Sequence, residues 1–85
     1  MKIIRIHAMW CSGCLVMKKV WKKIESIHNI EYIDYDYDMD EDIVKTFSPG
    51  SILPVTIFLL NDIEITRLNG EKTFDEINNI IESNK

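Results

Sequence analysis

The chain has little cysteine: Cys11 and Cys14 are the only two in its 85 residues. Two thiols cannot supply the disulfide framework of a small secreted scaffold, and a bridge closing so short a loop stabilises a fold little through chain entropy. Long apolar runs are also lacking, since no stretch reaches the about 20 apolar residues that cross a bilayer as a helix. Near the N-terminus, Ile3-Ile4 is interrupted at once by Arg5 and His7. That is not the core of a secretion signal, so a cytoplasmic location is expected, with no membrane partner. In that compartment a close cysteine pair is more often catalytic or metal-binding than structural. Basic charge is scarce too: the net charge is −4 and the pI is near 5.0. Nucleic acid is thereby disfavoured as a partner, because phosphate binding needs a basic surface. Lys18, Lys19, Lys22 and Lys23 cluster, but at helical spacing they read as the solvated face of one helix. No repeat, linker or low-complexity segment is visible. One small monomeric domain over residues 1–85 is expected.

What is present reads as alternating strands and helices. Residues 2–8 are short and rich in isoleucine, a strand. Over residues 11–28, Cys14, Met17, Val20 or Trp21, Ile24 and Ile27 recur at steps of three and four, a helix that Asn29 ends. Residues 30–37 alternate, with Ile33, Tyr35 and Tyr37 on one face and Ile30 and Tyr32 on the other. Asp40-Glu41-Asp42 suits a helix N-terminus, and Ile43, Val44 and Phe47 give a short helix that Ser48-Pro49-Gly50 breaks. Residues 54–60 form a continuous apolar run headed by Pro54, as in a central strand buried on both faces. Asn61-Asp62 is a two-residue turn into Ile63–Leu68. After the break at Asn69-Gly70, Thr73-Phe74-Asp75-Glu76 is a capping-box signal. Phe74, Ile77, Ile80 and Ile81 are the apolar stripe of a last helix. The order is β-α-β-α-β-β-α: an α/β fold with a mixed four-stranded sheet and helices on both faces.

The chemistry lies in Cys11-Ser12-Gly13-Cys14, placed where a strand ends and a helix begins. Free amides and the helix dipole at the first turn favour an anion, so the thiolate is the expected form of Cys11. Cys14 lies three residues on, along the same helical face and within reach of the Cys11 sulfur. That arrangement permits attack by one thiol and resolution by the other. Ser12 and Gly13 leave the pair open to close approach.

Trp10-Cys11-Ser12-Gly13-Cys14, Pro54 at the start of the buried strand, and Gly70 after the hairpin together resemble the thioredoxin-like superfamily. The resemblance covers nearly the whole chain, which lacks only the extra N-terminal strand and helix of full-length thioredoxins; in length it is closer to glutaredoxins. It implies a thiol-disulfide oxidoreductase with Cys11 as nucleophile and Cys14 as resolving thiol. Trp10, Ser12, Gly13, Leu53, Pro54 and Gly70 would border the substrate groove, and Pro54 would follow a cis peptide bond. It implies no bound cofactor, disulfide-containing substrates, and a reductase or low-molecular-weight thiol as electron donor. The Ser-Gly dipeptide departs from both thioredoxins and glutaredoxins. Arg5 stands where thioredoxins carry a buried acid, and Asp34 stands near the family's lysine. A swapped Arg5–Asp34 pair is expected behind the cysteines, with Asp34 as a candidate relay for the Cys14 proton. Simple solvation of both side chains is the alternative. His7, four residues before Cys11, either lends it a tunable positive charge or merely ends the strand. His28 suits a helix C-terminus and carries no chemistry.

Rival readings use the same residues. Met9-Trp10-Cys11-Ser12-Gly13-Cys14 fits the Met-x-Cys-x-x-Cys loop of Cu(I) metallochaperones, in which two thiolates hold a soft ion. Their β-α-β-β-α-β order ends on a strand, and this chain ends on a helix. Zinc would need His7 and His28 to complete four ligands, and nothing in the sequence places them together. Asp34, Asp36, Asp38 and Asp40 alternate as in a calcium loop, yet the loop glycine is missing and tyrosines intervene. A redox-regulated binding module is a further alternative. Six of the fourteen acidic residues fall within 34–42, so one edge is strongly negative and acidic partners are disfavoured there.

Overall fold

The computed structural model describes residues 1–85. Its elements are β1 (Lys2–His7), α1 (Ser12–Ile27), β2 (Glu31–Asp36), α2 (Glu41–Thr46), β3 (Val55–Leu60), β4 (Ile63–Asn69) and α3 (Phe74–Ser83). The β-α-β-α-β-β-α order is the one read from the sequence. The sheet runs β2-β1-β3-β4. β1 and β2 are parallel, joined through α1, and β3 is antiparallel to both β1 and β4. β1 and β3 are thus the inner strands, and Ile3, Ile4 and Ile6 of β1 and Val55, Ile57 and Phe58 of β3 are buried there.

Alternation along these strands divides the core in two. Ile3 and Phe58 face Met17, Trp21 and Ile24 of α1 and Ile77 and Ile81 of α3. Ile4, Ile6, Val55 and Ile57 face the other way, against Val44 of α2. The two faces of β2 also separate as the pattern predicts, Tyr32 packing on the first cluster and Ile33, Tyr35 and Tyr37 on the second. Each fully buried Ile or Phe contributes about 1.5–3 kcal/mol of transfer free energy, so these rows hold both helical layers to the sheet.

Local chemistry sets the ends of the elements. Asn61 and Asp62 both have positive φ (53° and 64°), as a two-residue hairpin loop requires, and both residue types tolerate it. Thr73 caps α3, its hydroxyl accepting from the Glu76 amide at 3.2 Å. The Glu76 carboxylate takes the Thr73 hydroxyl instead of reaching back to the backbone, so only half of the capping box forms. Asp40 stands at the N-cap of α2, but its carboxylate accepts from the Asp36 amide at 2.8 Å. Asp36 in turn accepts from the amides of Asp38 and Met39, both at 2.9 Å. The alternating aspartates therefore build the turn out of β2. No group of three or more His, Cys, Asp or Glu is placed to hold a metal ion. No helix is long and apolar enough to cross a membrane.

Candidate active site

β1 ends beside the sheet's buried centre, and a short turn leads into α1 with Cys11 as its N-cap (φ −91°, ψ 108°). The Cys11 amide donates to Ala8 O at 3.1 Å, which fixes the turn. The Cys14 amide donates to Cys11 Sγ at 3.1 Å. The Cys11 sulfur thus takes up one of the free N–H groups of the first helical turn. Cys11 is buried and Cys14 half-buried. Burial first, and then the hydrogen bond with Cys11, push the Cys14 thiol up to about 12. The two sulfurs are therefore inequivalent: one is served by a helix N-terminus, and the other is held as a thiol.

Two depressions flank the pair. The shallower groove is lined by Trp10, Cys11, Ser12, Gly13, residues 51–53 and Glu71. The Trp10 indole N–H donates to Asp38 at 2.7 Å and its ring meets Tyr37 edge-on at 6.0 Å. Trp10 is thereby held in place while remaining 63% exposed. Leu53 precedes Pro54 through a cis peptide bond, as expected. Gly13 is packed closely: a Cβ there would stand 3.3 Å from Pro54 Cδ and 2.9 Å from Glu71 Cγ. Gly70 does not line either depression. It has φ +90°, and its amide donates to Pro54 O at 2.8 Å, so it braces the proline from behind.

The deeper cavity, about 660 Å³, runs from Cys11 and Cys14 past Pro54 to Arg5, Glu25 and Asp34. Arg5 and Asp34 are partners in the parallel β1–β2 ladder. Arg5 Nε donates to Asp34 Oδ1 at 2.6 Å and Nη2 to Oδ2 at 2.8 Å, while Nη1 donates to Glu25 at 2.9 Å. The guanidinium stands 4.9 Å from the centroids of both the Trp21 and Tyr32 rings, which meet each other edge-on at 6.3 Å. Burial opposes the Arg5 charge, but the hydrogen bonds to Asp34 and Glu25 outweigh it and raise its pKa further. The two side chains thus meet and are not separately solvated. His7 lines this cavity too, at the end of β1 and opposite Asp36. His28 lies apart at the C-cap of α1, its Nε2 2.6 Å from Asn78 Oδ1.

Sequence reasoning missed Glu25, Glu71, Ile52 and Asp38 as neighbours of the site. Glu25 had a weak signal, standing one residue beyond the buried Ile24 of α1. Glu71 sits in a loop with no periodicity to expose it.

No family model and no curated protein matches the sequence. The fold does match solved structures. A thioredoxin from Fasciola hepatica superposes with a TM-score of 0.84 at 22% identity, covering 99% of this chain and 80% of its own. One from Nicotiana alata gives 0.87 at 23% identity, covering 96% and 70%. The Schistosoma mansoni thioredoxin pre-protein in its reduced form gives 0.86 at 17% identity, covering 96% and 76%. At these identities the likeness is one of architecture, and the architecture of this chain is the thioredoxin fold.

Proposed function

We propose that the chain is a thiol–disulfide oxidoreductase acting on disulfides of proteins or small molecules. The observation that carries this reading is the Cys14 N–H···Sγ Cys11 hydrogen bond at the N-cap of α1, beside a second thiol held protonated. The Cys11 thiolate attacks one sulfur of the substrate disulfide. That S–S bond breaks, a mixed disulfide forms, and the first substrate thiolate leaves and takes a proton. Cys14 then loses its proton and attacks Cys11 Sγ. The Cys11–substrate bond breaks, the second substrate thiol departs, and the Cys11–Cys14 disulfide remains. The substrate gains two electrons and two protons. An external dithiol, a reductase or a low-molecular-weight thiol restores the pair. The chemistry needs no organic cofactor, because the electrons reside on the two sulfurs.

In this reading Trp10, Ser12, Gly13, Leu53 and Pro54 border the groove that receives an extended substrate segment. Asp34, which lines the same cavity as Cys14, accepts the Cys14 proton through the cavity, and Arg5 positions its carboxylate.

The test is reduction of insulin disulfides with dithiothreitol as donor, run beside a Cu(I) titration. Turnover that disappears in Cys11→Ser supports the proposal. Absence of turnover together with tight 1:1 copper binding would instead favour metal carriage through the Cys11 and Cys14 thiolates.

A further inference from the structure

We infer that Glu71 sets the charge specificity of the groove, selecting disulfides that carry positive charge next to the reacting sulfur and disfavouring anionic ones such as glutathione disulfide. The inference rests on the oxidoreductase reading and names the substrate class of that same site. Glu71 is exposed and has no ion-pair or hydrogen-bond partner, yet its side chain lines the groove with Cys11, Ser12 and Leu53. The motif itself makes the room. Gly13 has no side chain, and a Cβ there would stand 2.9 Å from Glu71 Cγ and 3.2 Å from Glu71 Oε1. A larger residue at position 13 would displace the carboxylate from this place.

The rest of the groove leaves that charge unopposed. None of its lining residues is basic. The basic side chains near the cysteines, Arg5, His7 and Lys18, line the deeper cavity instead, together with the acidic Glu25, Asp34 and Asp36. Arg5 is already committed to Asp34 and Glu25. Trp10, the apolar wall of the groove, is itself tied to a carboxylate, that of Asp38. A disulfide entering here meets a surface that is half apolar, from Trp10, Ile52 and Leu53, and the unpaired negative charge of Glu71. A cation beside its sulfur is attracted to the Glu71 carboxylate, and a carboxylate is repelled. At separations of several ångströms near a protein surface, one such charge pair changes a rate constant by about tenfold, and salt weakens the effect.

The experiment mixes the fully reduced protein with cystamine (a dication), 2-hydroxyethyl disulfide (neutral) or glutathione disulfide (an anion) at pH 7 and quenches with acid. Each rate constant is divided by that of dithiothreitol with the same disulfide, which removes intrinsic reactivity. The expected cystamine-to-glutathione ratio for the wild type is about tenfold or more above that of dithiothreitol, collapsing toward it in 0.5 M salt. Glu71→Gln should reduce the ratio by about threefold or more, and Glu71→Lys should reverse the preference. A ratio that is the same in wild type, Glu71→Gln and Glu71→Lys overturns the inference. Failure of the wild type to reduce even the neutral disulfide would instead overturn the oxidoreductase reading.

Discussion

Arg5 and Asp34 face each other across the β1–β2 ladder and are joined by two parallel hydrogen bonds of 2.6 and 2.8 Å. The pair lines the same cavity as the cysteines, with Asp34 partly open to solvent. Glu25 from α1 adds a third bond, so one guanidinium ties the two strands to the helix carrying Cys14. The Trp21 and Tyr32 rings, edge-on to each other, form an aromatic corner against which it rests.

Removing that guanidinium leaves two carboxylates without their cation and two rings without their cation contact. Arg5→Ala should therefore lower stability by about 1–3 kcal/mol; the half-exposed carboxylates keep the loss below that of a fully buried pair. Arg5→Lys should recover part of the loss, because it restores the charge without the planar fork. Urea denaturation of the reduced proteins at pH 7 measures both. Equal stability of wild type and Arg5→Ala would show that the pair contributes nothing.

Asp34→Asn separates a relay from a structural role. If Asp34 accepts the Cys14 proton, resolution of the mixed disulfide should slow by about tenfold or more near pH 7 and recover as hydroxide takes over at high pH. Attack by Cys11 should be unaffected. Single-turnover kinetics across pH 6–10 read the two steps separately. An unchanged profile would remove Asp34 from the mechanism.

The Cys14 thiol is raised from 9.0 to about 12 by burial and by Cys11. The folded protein therefore holds this proton more tightly than the unfolded chain does. That contribution is complete below pH 9 and is lost as pH rises toward 12, with a slope of at most about 1.4 kcal/mol per pH unit. The reduced wild type should lose more stability over this range than Cys14→Ser does. Parallel pH dependences of the two proteins would contradict the shift.

His28 is buried at the end of α1, with Nε2 against Asn78 of α3 and Nδ1 without a partner. Asn78 is the hydrogen-bond partner of Nε2, and the Glu82 carboxylate stands farther off, 3.7 Å from the same nitrogen. Asn78→Ala should cost about 1–3 kcal/mol in denaturant unfolding, the penalty of an unpaired buried polar group. A change below a few tenths of a kcal/mol would show that the contact is dispensable.

Much of the fold was legible because it depends on patterns local to each segment. The continuous apolar run 54–60 announced an inner strand, and the alternation of Tyr32, Ile33 and Tyr35 placed the two faces of β2 correctly. Cys11 reads as a helix cap from the strand before it and the periodic stripe after it. The Arg5–Asp34 contact was legible only through resemblance, since one charge stood where the other was expected. Glu71 was not legible at all: it meets Gly13 across 58 residues of chain, by loop geometry that no periodicity encodes. The attachment of Trp10 to Asp38 was hidden for the same reason, because the aspartates beyond β2 read simply as a solvated turn. The family resemblance makes Gly70 a border of the groove, but it lines neither depression. Its work is done by the backbone, holding Pro54 from behind.

The central claim is the division of labour between Cys11 and Cys14, and mass spectrometry of trapped adducts tests it most directly. Each single variant, Cys11→Ser and Cys14→Ser, is reduced, freed of reductant and mixed with a peptide disulfide at pH 7. Cys14→Ser should accumulate a stable mixed disulfide through Cys11, and Cys11→Ser should form adduct at least about tenfold more slowly, its remaining thiol being held protonated. Equal adduct formation by the two variants, or faster formation through Cys14, would contradict the account.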